Sequence, residues 1–130
     1  MERILGRFAP QFYAIMRIVA GLLFACHGAQ KLFGVLGGKQ VVLGSMSGAA
    51  GIIEFVGGLL IAIGFLTGTA AFIASGEMAY AYFTRHAPHG TFPIQNGGEL
   101  AALYCFVFLY ISSRGSGIWS VDAALGREAL

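Results

Sequence analysis

Gly48–Leu66 reads GAAGIIEFVGGLLIAIGFL, an apolar run with one ionisable side chain, Glu54. A helix rises about 1.5 Å per residue, so a run of this length crosses most of a ~30 Å hydrocarbon layer. Alternation at period two is absent, which argues against a membrane β-barrel. A charged face, which each helix of a soluble bundle would need, is absent too. Ala50, Glu54, Gly58 and Ala62 recur at every fourth residue. Small residues at that spacing let helix backbones approach closely, so Glu54 is expected on a packing face and not on lipid.

Working outward, three further runs have the same character. Phe12–Phe33 is apolar but interrupted by Arg17, His27 and Lys31; about Ala70–Phe83 contains Glu77 and ends near Arg85 and His86; about Gly98–Ser112 opens with Glu99. Between them lie a glycine-rich stretch, 34–47, and a polar stretch, 86–98, with Pro88 and Pro93; both read as loops. Thr67-Gly68-Thr69 reads as a tight turn, with Gly64 and Gly68 as helix breakers. The fold class expected is an all-α membrane protein: a single domain, residues 1–130, forming a four-helix transmembrane bundle, up-down-up-down, with helices about 12–34, 48–66, 69–86 and 97–113.

Composition agrees. Of 130 residues 57% are hydrophobic and 11% charged, against about a quarter charged in soluble domains. The mean hydropathy is +0.76. Four spans use nearly all of this length, leaving no room for a soluble catalytic domain. No basic run tracks nucleic acid, so the expected partner is the lipid bilayer and not nucleic acid. The first apolar run is long, interrupted by charges and lacks a clear cleavage site, so it is not read as a signal peptide. Cys26 and Cys105 form no CxxC or metal-type spacing and read as buried small hydrophobes. Trp119 is expected at the membrane interface. Four spans put both termini on one side, with Arg3, Arg7, Arg114 and Arg127; the other side has Lys31, Lys39 and Arg85. That excess favours cytoplasmic termini.

The informative residues are the ionisable ones inside the apolar runs, each costing roughly 2.5–3.5 kcal/mol near the bilayer centre when unpaired. Cations sit on the first run (Arg17, Lys31, with His27 beside them) and carboxylates on the other three (Glu54, Glu77, Glu99). The simplest arrangement turns all of them inward. Arg17, Gly21, Phe24, Gly28 and Lys31 share a face; so do Ala70, Ala74, Glu77 and Ala81, with Tyr80 nearby; so do Glu99, Ala102, Phe106 and Tyr110. Up-down connectivity puts His27, Lys31, Glu54 and Glu99 in one half of the membrane and Arg17 nearer the other face. A polar pocket toward the non-cytoplasmic side follows. The spacing demands no metal, and no nucleophile motif or phosphate loop is present.

The runs RIVAGLLFACHGAQKLFG (17–34), IEFVGGLLIAIGFLT (53–67), GELAALY (98–104) and GSGIWSVD (115–122) together resemble the DoxX family, over about residues 12–125. Two features depart from the family pattern: the turn at 67–69 lacks the basic residue often found there, and Ser116 stands where a proline is usual. The resemblance implies a four-helix membrane fold associated with redox systems, some relatives being subunits of a thiosulfate:quinone oxidoreductase. By position Arg17, His27, Lys31, Glu54, Glu99 and Asp122 match the family's polar positions.

Three functions stand open. The first is a quinone-linked redox subunit of a bacterial or archaeal inner membrane, with electrons from a membrane or redox partner. Lys31 or His27 would hydrogen-bond a quinone oxygen and Glu54 or Glu99 would carry the proton; Arg17, Lys31, Glu54, Glu77 and Tyr80 would form the quinone site. The second is a non-catalytic subunit or scaffold, whose charges only lock the bundle. The third is a small-solute transporter or channel, which would need a homo-oligomer.

Overall fold

The computed structural model describes residues 1–127, and among them there are helices and no strand. The helices are α1 (Glu2–Leu5), α2 (Ala9–Phe33), α3 (Met46–Ile63), α4 (Thr67–Ala81), α5 (Pro93–Asn96), α6 (Glu99–Arg114) and α7 (Val121–Ala124). A short 3₁₀ turn, Gly6–Phe8, joins α1 to α2. The stretch Tyr82–His86 continues α4 as a π-turn. Glu2–Phe33 and Met46–Ile63 are each long and apolar enough to cross a membrane.

α2 and α3 form an antiparallel hairpin. A Cβ built on Gly21 would lie 2.6 Å from the Ala62 nitrogen, and one on Gly58 would lie 2.5 Å from the Ala25 nitrogen. Neither position admits a side chain, so backbone meets backbone along this seam, the close approach that small residues allow between helices in lipid. Gly28 meets Phe55 and Gly51 further along the same face. α4 and α6 form a second antiparallel hairpin, with Ser75 Oγ donating to the Cys105 carbonyl at 2.7 Å and Ser112 Oγ to the Gly68 carbonyl at 2.9 Å.

Aromatic side chains join the hairpins. Phe24 on α2 lies 4.7 Å from Phe108 and 5.4 Å from Tyr104, and the Tyr104 and Phe108 rings stack at 5.2 Å. Phe24, Ile61, Ala71, Ala74, Phe108 and Ile111 are wholly or almost wholly buried. The exterior is apolar as well: Leu23, Ile52, Phe72, Leu103 and Phe106 are exposed on four different helices, Phe106 to 69%. An apolar outside around an apolar inside is what lipid solvates and water does not.

The structure moves the α3–α4 turn relative to the sequence reading. α3 ends at Gly64, which adopts φ 74° and donates to the carbonyls of Leu60 and Ile61, and α4 already begins at Thr67. Gly68 lies inside α4 and breaks nothing. The cause is a cap from far along the chain: the two carboxylate oxygens of Asp122 accept the Leu66 and Thr67 N–H groups, each at 3.1 Å. The loop expected at 86–98 contains a 3₁₀ turn, Ala87–His89, and the one-turn helix α5. Cys26 faces outward and is exposed, not buried; Cys105 is half-buried, and neither is in a disulfide. Trp119 is exposed.

Candidate functional site

The buried charged groups lie toward opposite ends of the molecule, Arg17 and Asp122 at one and Glu54 at the other. At one end Arg17 is fully buried. Its guanidinium donates to the carbonyls of Ile61 (3.0 Å), Ile118 (3.1 Å), Trp119 (2.7 Å) and Ser116. These are carbonyls of the last turn of α3 and of the segment after α6, and a planar fork of five donors suits them. Asp122 closes the same region by capping α4, and its own N–H donates to the Gly64 carbonyl at 2.9 Å. Tyr13 adds a hydrogen bond from its hydroxyl to the Gly115 carbonyl at 2.6 Å. Every group of Arg17 is engaged in holding chain ends together, and Arg17 does not reach the cavity described next.

At the other end lies a cavity of about 570 Å³ between the two hairpins. Lys31, from the last turn of α2, reaches Glu54 on α3, with Nζ at 2.7 Å and 2.6 Å from the two carboxylate oxygens. Glu54 is buried, whereas the Lys31 side chain keeps 28% of its surface. Glu77 on α4 stands within hydrogen-bonding reach of Glu54, and its buried Oε2 meets no donor from any other described residue. His27 and Tyr80 also line the cavity. The His27 ring meets Tyr104 edge-on at 6.2 Å. The walls are apolar: Phe24, Met46, Ile53, Ile73 and Met78.

Five of the residues singled out in the sequence, His27, Lys31, Glu54, Glu77 and Tyr80, thus line one cavity. Glu99 is not among them. The expectation that the Glu99–Ala102–Phe106–Tyr110 face turns inward is corrected. α6 buries Ala101, Tyr104, Phe108 and Ile111, while Glu99, Phe106 and Tyr110 are exposed. A carboxylate in the first turn of a helix is stabilised by the positive end of the helix dipole, so Glu99 needs no buried cation.

Sequence reasoning missed Tyr104 and Arg85 as cavity residues. The π-turn sets Arg85 and His86 at the rim, and such turns have no local sequence signal beyond their frequency near sites. Arg85 Nη2 donates to Ser47 Oγ at 2.6 Å, bridging the ends of α4 and α3. Among the described residues no group of three or more His, Cys, Asp or Glu side chains could hold a metal ion.

The helical fold and the lipid-compatible surface define an integral membrane protein. The chain belongs to the DoxX family, whose profile matches residues 12–87. That match contains Arg17 and all of the cavity residues from α2, α3 and α4. The chain is also similar to a protein of Haemophilus influenzae described as "Uncharacterized protein". The two are 45% identical over 125 residues, covering 91% of this chain and 93% of the relative. No solved structure matches the chain.

Proposed function

We propose that this protein is a quinone-linked redox subunit of a bacterial or archaeal inner membrane, built as an up-down-up-down bundle of four transmembrane helices. The antiparallel hairpins α2–α3 and α4–α6 support that topology, because α2 also runs antiparallel to α6, as the pairs Tyr13–Gly115 and Phe24–Tyr104 require. The termini lie on the cytoplasmic side, where Arg3, Arg7, Arg114 and Arg127 gather. The cavity then opens toward the non-cytoplasmic half.

The observation that carries the functional reading is the Lys31–Glu54 pair with the Glu77 carboxyl in hydrogen-bonding reach beside it, in a cavity with apolar walls. A quinone ring is a flat apolar body with two carbonyl oxygens, and it fits these walls and donors. Lys31 Nζ or a His27 ring N–H donates to one oxygen. Protonated Glu54 or Glu77 hands a proton to the reduced ring, and Tyr80 flanks it. Two electrons come from a redox partner protein, and with two protons they convert quinone to quinol. Arg17 and Glu99 stand outside the cavity and are given no part in this step.

The test is gentle purification into lipid nanodiscs, with mass spectrometry of everything retained. Stoichiometric quinone, lost in Glu77→Gln while circular dichroism and elution are unchanged, supports the reading. A stoichiometric membrane partner without quinone would instead make the chain a non-catalytic subunit.

A further inference from the structure

The cavity has a side exit. On α4, Ser75 faces α6 through its bond to Cys105. Helical spacing puts Ile73, Glu77 and Tyr80 on the other flank of α4, toward α3. Ile73 and Tyr80 line the cavity and yet are 50% and 56% exposed. Across the gap on α3, Met46 lines the cavity and is 62% exposed, and Ala49 beside it is exposed as well. A side chain that faces both a cavity and the surroundings marks an opening. The α3 side of this opening is low because Ala49 and Ala50 carry only methyl groups. The opposite seam, between α2 and α6, is filled by Phe24, Tyr104 and Phe108. At the level of Met46, Arg85 bonded to Ser47 spans the gap as a crossbar.

We infer that the slot between α3 and α4 is a subsite for the hydrocarbon tail of a membrane-borne ligand, whose polar head lies at Lys31, Glu54 and Glu77. The inference rests on the quinone reading and adds to it the class of quinone and its route. The polar groups lie deepest, the slot leads sideways from them into the apolar exterior, and its walls (Met46, Ala49, Ile53, Ile73 and the Tyr80 ring) are apolar. A tailed amphiphile entering from the bilayer keeps its tail in hydrocarbon throughout, so seating the head requires no desolvation of the tail. A water-soluble ligand would gain nothing from such a route. The Arg85–Ser47 crossbar keeps the tail from the aqueous end.

The experiment uses the full chain in nanodiscs and two probes: a benzoquinone bearing a decyl tail and the same head group without it. Affinities are corrected for partition into empty nanodiscs. The tail is expected to tighten binding by at least about tenfold beyond partition, because its contacts in the slot are specific. Ala49→Phe, which fills the slot, should remove that gain and leave the tail-less probe unchanged. Val19→Phe, on the exposed outside of α2, should change neither. Equal corrected affinities, or a tail gain that survives Ala49→Phe, overturn the slot and leave the quinone reading standing. Failure of both probes to bind overturns the two together.

Discussion

Arg17 shows what a single buried cation can do without a carboxylate in direct contact. Its N–H groups meet backbone carbonyls from the end of α3 and from the segment after α6, two places 44 and 99 residues away. Lysine brings the charge but only a point of donors, with no fork. Arg17→Lys should therefore lower stability by roughly 2–4 kcal/mol, since several carbonyls lose their donors in a setting without water. Thermal unfolding in nanodiscs measures it, and a Lys variant as stable as the wild type would show that the clasp contributes little. Asp122→Ala removes both cap acceptors of α4 and should cost about 1–2 kcal/mol, with Asp122→Asn between it and wild type. The same unfolding series reads both.

At the scale of the element, the adjacent glycines of α3 predict opposite results. Gly58 meets the Ala25 backbone so closely that a Cβ would stand 2.5 Å from its nitrogen, whereas a Cβ on Gly57 meets nothing within 4 Å. Gly58→Ala must push the α2–α3 hairpin apart, at roughly 1–3 kcal/mol. Gly57→Ala should be neutral or stabilising by up to about 1 kcal/mol, because alanine favours the helix and nothing opposes it. Equal effects of the two substitutions would mean that the seam is looser than the backbone contacts require. Separating α2 from α3 should also lengthen the Lys31–Glu54 contact, so Gly58→Ala is expected to weaken quinone retention as well as stability.

At the scale of the whole molecule, the proposed topology predicts that reporters fused to the two termini both report the cytoplasm. A reporter inserted near Lys39, in the α2–α3 connection, should report the opposite side. Opposite signals from the two termini would remove the even number of crossings on which the bundle is built. Cys26 and Cys105 are free, so migration under non-reducing conditions should match that under reducing conditions.

The apolar runs and their few charges, read alone, determined that the chain is helical and that it belongs in a membrane. These are properties of composition and local period, and lipid allows backbone hydrogen bonds few other solutions. The inward placement of Lys31, Glu54 and Glu77 was also legible, because ionisable side chains in apolar runs are costly to leave on lipid. The tertiary structure decided what each charge meets. Lys31 is paired with Glu54, which also meets Glu77, while Arg17 is spent on carbonyls at the far end. Glu99, in the first turn of α6, turns outward, which helical period alone does not reveal. The turn after α3 lies at Gly64–Leu66 because Asp122 caps α4 from 55 residues away. Such a partner is set by how chain ends meet in space, and no local pattern contains it.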